Sequence, residues 1–276
     1  MFTLSGFADE ISPDLDQQLD LLSQLGIRYL ELRGVWQTGV LDLTDEQVRA
    51  IKRALDERGI GVSAIGSPIG KIQITDPFEP HLVAFQRAIA LAEYFQTPYI
   101  RMFSFFTPEG QADAHRDEVM QRIEALLEAA QGHPVTLLHE NERHIYGDIP
   151  RRCRDLMETF DTPRLRFTFD PANFVMCGVR PFTDGWELLK DYTIYLHIKD
   201  ALMQEGKVVP AGQGDGELEP LLRALVARGY QGFASLEPHL SMAGEFRGFS
   251  GPELFTVAAE AFRGLMEKVG AQEQRG

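Results

Sequence analysis

The chain has 276 residues, is 44% hydrophobic and 25% charged, and carries a formal net charge of -14, the make-up of an ordinary globular protein of one large domain or two small ones. Such acidity disfavours nucleic-acid backbones and anionic membranes as partners, and two cysteines, Cys153 and Cys177, build no disulfide framework, so a reduced, cytoplasmic protein is expected. The N-terminus shows no signal-peptide pattern, and no apolar run approaches the ~20 residues of a membrane-spanning helix.

In chain order, strand-like and helix-like segments alternate. Strands are predicted near 3–8, 28–32, 61–66, 98–103, 135–140, 165–170, 194–198 and 232–237. Helices are predicted near 13–25, 45–58, 80–95, 111–131, 150–160, 183–191, 217–228 and 252–269. Ser12-Pro13 reads as a cap with proline at the first helical position. Leu15, Leu19, Leu22 and Leu25 form one apolar stripe. Thr44 and Gln47 have capping-box spacing. Gly26, Gly59 and Gly229 each follow a helix, where a left-handed residue is wanted.

The strand ends fall near Asp9, Glu31, Gly66, Arg101, Glu140, Asp170, His197 and Glu237, about 30 residues apart, the size of one βα unit. Eight such units predict a single α/β domain over residues 1–276, a closed (β/α)8 TIM barrel. A doubly wound open sheet is the alternative. In a barrel the active site lies at the C-terminal ends of the strands.

Four consecutive strand ends carry metal-ligand residue types: Glu140, Asp170, His197 and Glu237. Charged residues ending buried strands are costly unless they serve a purpose. Half of a closed ring brings these four ends to one point. Three carboxylates and one imidazole suit a single divalent ion: Mn2+, Mg2+, Co2+ or Zn2+. The alternative is four separately satisfied polar residues.

Around them lie further candidates. Lys199 shares a strand face with Tyr195 and His197; it serves a substrate oxygen or pairs with Asp200 or Glu140. Asn173 returns to the site or caps the next helix. His139 points away from Glu140 by alternation. His239 lies near a substrate or is an ordinary loop histidine. Lys71 and Arg101 could contact a polyol or phosphate, and the aromatic run Phe103, Phe105, Phe106 could wall a sugar ring. Glu31 and Arg33 read as a self-satisfied pair. The glycine-rich stretch 210–216 matches neither nucleotide-binding pattern and reads as a tight loop.

With these residues in view, the chain resembles the xylose isomerase-like TIM-barrel superfamily of sugar isomerases and epimerases. The resemblance rests on Leu138-His139-Glu140-Asn141-Glu142, Phe169-Asp170-Pro171-Ala172-Asn173-Phe174, His197-Ile198-Lys199-Asp200 and Leu236-Glu237-Pro238-His239. It implies that Glu140, Asp170, His197 and Glu237 bind one divalent ion, and that Glu140 and Glu237 also move protons as the catalytic pair. Arg101, Glu142, Asn173, Lys199 and His239 are the substrate-binding candidates. Three positions depart from the epimerase pattern: Asn173 where histidine is usual, Met203 where arginine is, and Tyr146 where glutamate is.

A proton next to a carbonyl is weakly acidic, and chelation of the carbonyl and a neighbouring hydroxyl stabilises the enediolate left by its removal. Return of the proton to the same side isomerises, return from the other side epimerises, and loss of a β-hydroxyl dehydrates. The expected function is thus a metal-dependent sugar or keto-sugar isomerase or epimerase. A keto-inositol-type dehydratase is the main alternative, followed by an endonuclease IV-like phosphodiesterase and a non-catalytic sugar-binding protein. The partner is a small sugar or keto-polyol; the oligomeric state stays open.

Overall fold

Short apolar segments rich in leucine, isoleucine, phenylalanine and tyrosine run as eight parallel strands: β1 (Phe2–Gly6), β2 (Tyr29–Leu32), β3 (Gly61–Ile65), β4 (Tyr99–Met102), β5 (Thr136–Glu140), β6 (Leu165–Phe169), β7 (Thr193–Ile198) and β8 (Gly232–Leu236). The structure, a computed structural model, describes residues 1–240 and 250–274. Around the ring the order is β1-β8-β7-β6-β5-β4-β3-β2, with ladders joining seven neighbouring pairs. β1 and β2 lie side by side and nearly close it. The architecture is a single (β/α)8 TIM barrel, as the repeat predicts.

The helices are α1 (Leu15–Gln24), α2 (Asp45–Arg58), α3 (Glu79–Phe95), α4 (Arg116–Ala129), α5 (Pro150–Phe160), α6 (Pro171–Met176), α7 (Glu187–Leu189), α8 (Leu218–Ala227) and α9 (Gly251–Val269). Each longer one buries an apolar stripe on the ring: Val48, Ile51 and Leu55 do so in α2. The Thr44–Gln47 capping box forms, and Gly59 ends α2 at φ 61. Gly26 and Gly229 are also left-handed, at φ 69 and 70. The cap of α1, however, is Asp14 and not Ser12: the Asp14 carboxylate accepts the Gln17 N–H. The helix predicted over 183–191 is found as a π segment, Pro181–Trp186, followed by the single turn α7. Gly185 lies tight against Pro150 there; a Cβ would come within 3.1 Å of its ring.

The barrel interior is filled in layers. At the N-terminal end the rings of Tyr29, Tyr99, Tyr195 and Phe233 pack edge to face. Above them come polar side chains, Ser5, Ser63 and Glu31, all buried. The C-terminal mouth holds the charged cluster described next.

Candidate metal centre

Strand register decides which side chains meet. β5 ends on Glu140, β6 runs into Asp170, β7 carries His197 one residue before its end, and Glu237 follows β8. Glu140 pairs in register with Thr168, and His197 with Ser235. All four side chains are buried, and one ligand atom from each lies within 4.8 Å of the others. His197 Nδ1 is 3.1 Å from Glu140 Oε1, 3.8 Å from Glu237 Oε2 and 4.0 Å from Asp170 Oδ2. Four residues from four strands therefore meet at one point, an arrangement that could hold a metal ion.

The donor atoms themselves test the fit. Among the described residues, Asp170 Oδ2 and His197 Nδ1 are buried with no hydrogen-bond partner. Their near neighbours are charges: Lys199 Nζ lies 2.9 Å from Asp170 Oδ2, and Glu140 Oε1 lies 3.1 Å from His197 Nδ1. Buried polar atoms without a hydrogen bond are costly, and these two face one point among the carboxylates of Glu140, Asp170 and Glu237. A divalent cation would relieve both.

Burial and neighbouring charge set the titration of the cluster. Burial pushes the Asp170 carboxyl up, against the pull of Lys199, to about 6. Burial also raises Glu140, but His197 and Arg101 outweigh it and bring it to about 2. Burial alone would lower the His197 imidazole; Glu140 and Glu31 drive it up to about 10.

Each glutamate has its own company. Glu140 accepts from Arg101 Nη1 at 3.2 Å and from Asn173 Nδ2 at 3.2 Å. Glu237 accepts from Lys199 Nζ at 2.9 Å and from Arg33 Nη1 at 2.7 Å, with His239 Nε2 3.4 Å away. Lys199 Nζ also lies 2.9 Å from Asp170 Oδ2. It pairs with neither Asp200 nor Glu140. Asp200 instead accepts N–H bonds from Ala201, Gly212, Gly214 and Gly216, folding the glycine-rich loop around its carboxylate. Asn173 returns to the site, its side chain reaching Glu140, and does not cap the helix: Asp170 caps α6 and accepts the Asn173 backbone N–H.

A cleft of about 220 Å³ adjoins the cluster through Asn173, Lys199 and His239, and Glu142, Arg143 and smaller residues complete its wall. Arg101 lies deeper: it is buried, and its Nη2 donates to the carbonyls of Gly66 and Ser67. Glu142 receives an ion pair from Lys71 across the mouth. Phe103 and Phe105 are fully buried and belong to the core, so they do not wall the cleft. Phe103 packs under Arg101 and Lys71. His139 turns away to Ser104 Oγ, and burial lowers its imidazole to about 3. Tyr146 points to Asp155 on α5 and not to the cluster.

Four contributors escape the sequence reading. Glu31 and Arg33 do not pair with each other: Glu31 reaches His197 and Tyr195, while Arg33 binds Asp9, Glu10 and Glu237. Their place at the end of β2 was the only available signal. Asn141 clamps Asp170, donating to its carbonyl and accepting its N–H. Glu10, buried under His239 and Arg33, gave no signal at all.

Comparison with known proteins bears on the family and the fold. The family model described as xylose isomerase-like TIM barrel matches residues 19–263. No curated protein matches the chain. Among solved structures, an IOLI protein with a binding zinc atom superposes with a TM-score of 0.78 at 17% identity, covering 97% of this chain and 99% of that one. The 3-keto-D-glucoside 4-epimerase YcjR from E. coli gives 0.71 at 15% identity, covering 97% and 100%. The probable 3-DHS dehydratase AsbF from Bacillus anthracis gives 0.74 at 19% identity, covering 95% and 98%. At these identities the likeness establishes the fold.

Proposed function

The chain belongs to the xylose isomerase-like TIM barrel family, and from that premise we propose that it is a divalent-metal-dependent sugar or keto-sugar isomerase or epimerase, working by proton transfer through an enediolate. The observation that carries this reading is the pair of buried carboxylates, Glu140 and Glu237, that meet at one cluster of metal-ligand atoms from strands separated by two others in the ring. Glu140, Asp170, His197 and Glu237 would hold the ion, one of Mn2+, Mg2+, Co2+ or Zn2+. When bound, such an ion supplies Lewis-acid polarisation of a substrate carbonyl and a neighbouring hydroxyl.

The remaining work falls to the side chains. One glutamate takes the proton from the carbon beside the carbonyl, and the other delivers a proton to the opposite face. Arg101 and Asn173 hold Glu140 in place; Arg33 and Lys199 hold Glu237. Glu142, Asn173, Lys199 and His239 line the cleft and bind substrate hydroxyls, with Arg101 supporting them from below. The burial of the four cluster side chains limits water around the transferred proton. We take residues 1–276 as one domain, cytoplasmic, acting on a small sugar or keto-polyol with neither nucleic acid nor membrane as partner; the charge of -14 supports this.

A keto-polyol dehydratase is the second reading, and Lys199 favours it. Its ammonium group sits beside Glu237 at the cleft, where it could protonate a departing β-hydroxyl. One experiment tests both. The protein is incubated with Mn2+ and a panel of ketoses, 3-keto-sugars and keto-inositols in D2O. Deuterium entering next to the carbonyl, lost on adding EDTA, supports the isomerase reading. An unsaturated product from a keto-inositol favours the dehydratase. No exchange and no product across the panel, with metal bound, rejects both.

A further inference from the structure

The two ring nitrogens of His197 face different surroundings. Nδ1 faces the carboxylate cluster, while Nε2 lies 3.2 Å from Glu31 Oε2. Glu31 comes from β2, outside the run of strands that carries the cluster, and is only 1% exposed. The same Oε2 accepts a hydrogen bond from the Tyr195 hydroxyl at 3.0 Å. Behind it the chain of contacts continues to Ser63 Oγ at 2.9 Å and on to Ser5 Oγ, 2.6 Å further. Phe7 and Tyr195 meet the imidazole in edge-on contacts, at centroid distances of 5.1 and 5.9 Å.

Counting protons fixes the tautomer. A carboxylate accepts and does not donate, so both neighbours of Glu31 Oε2 must donate to it. His197 therefore holds a proton on Nε2, and Nδ1, which faces Asp170, Glu140 and Glu237, is the nitrogen whose proton a bound cation would displace. Burying a carboxylate is expensive, and the other Glu31 oxygen, Oε1, has no partner among the described residues. Local satisfaction does not explain a glutamate here; its contact with His197 does.

We propose that Glu31 is a positioning residue for the metal centre. Through Nε2 it fixes the tautomer and ring orientation of His197 and strengthens Nδ1 as a donor to a divalent ion. Carboxylates that hold metal-ligating histidines in this way commonly set metal affinity within about 10–100-fold. The inference rests on the metal-centre reading above and extends it to a residue outside the cluster.

The test compares the wild-type chain with Glu31→Gln and Glu31→Leu. Mn2+ and Zn2+ affinities are measured by chelator competition, and folding without metal by circular dichroism and thermal melting. The expected result is a fall of about 10–100-fold in affinity, larger for Glu31→Leu, which removes charge and acceptor, than for Glu31→Gln, which keeps an acceptor. Histidine 15N spectra of the Zn2+-loaded wild type, with His197→Gln for assignment, should show His197 protonated at Nε2, and that proton should move upfield in Glu31→Gln. Unchanged affinity in folded Glu31→Gln overturns the inference, as does an Nδ1-protonated His197 in the loaded wild type. If Glu31→Leu does not fold, Glu31→Gln decides alone. A wild type that binds neither ion removes the metal-centre reading itself and this inference with it. That outcome differs visibly from wild-type binding that the Glu31 variants leave unchanged.

Discussion

At the scale of single residues, Glu140 and Glu237 are alike in burial and unlike in company. Arg101 and Asn173 hold one; Arg33 and Lys199 hold the other. If each carries a proton on one face of the substrate, Glu140→Gln and Glu237→Gln should each lower deuterium exchange by about 10²–10⁴-fold, followed by NMR of the product at saturating metal. Exchange within a few-fold of wild type in both would exclude this pair. Lys199→Met separates the two readings. It should reduce formation of an unsaturated product more than exchange if Lys199 protonates a leaving hydroxyl; equal losses in both assays would leave Lys199 as a holder of Glu237. Glu140, Asp170, His197 and Glu237 were legible because their residue types are out of place at the ends of apolar runs. Glu31 and Arg33 misled because two residues apart on one strand looked like neighbours. Both point to the barrel mouth, where partners from other strands compete for them.

At the scale of elements, the turn signals were reliable where chemistry is local. Thr44 with Gln47 and Gly59 act within one helix, so neighbours in sequence suffice. The glycine-rich stretch 210–216 was recognisable as a tight loop, but its purpose depended on Asp200, more than ten residues earlier. That carboxylate collects the N–H groups of Gly212, Gly214 and Gly216. A Cβ on Gly214 would stand 2.4 Å from Asp200 Oδ1 and 2.6 Å from the Ala201 carbonyl. Gly214→Ala should therefore destabilise the fold by about 1–3 kcal/mol through overpacking, read as a lower urea midpoint. Lys199 neighbours Asp200 in sequence, so substrate affinity should weaken with it. The helix over 183–191 was mistaken in kind because its pattern is apolar enough for a helix, while Gly185 serves close approach to Pro150.

At the scale of the molecule, ring closure couples distant loops, and one contact makes that coupling pH-dependent. His81, near the start of α3, accepts the Gly70 N–H through Nε2 at 2.6 Å and so ties the loop after β3 to the outer layer. Burial first, and Arg122 second, lower its pKa below the ordinary 6.5. Above that value folded and unfolded chains both hold His81 neutral, and its contribution to stability is complete. As the pH falls through 6.5 the unfolded chain takes up a proton that the folded chain resists, so stability declines. His81→Asn should narrow the drop in urea midpoint between about pH 8 and about pH 5.5. An unchanged drop would show that His81 does not carry this linkage.

The sequence alone determined the eight βα units, the barrel and the four candidate ligands, because strand period, helix caps and residue type at strand ends are encoded within a few positions of one another. Tertiary structure decided what those residues do to each other. Only the closed ring brings Glu31 from β2 under His197 from β7, Arg33 onto Glu237, and Lys199 between Asp170 and Glu237. Such contacts join residues up to about two hundred positions apart. They follow from the register and curvature of the whole sheet, which no local pattern records.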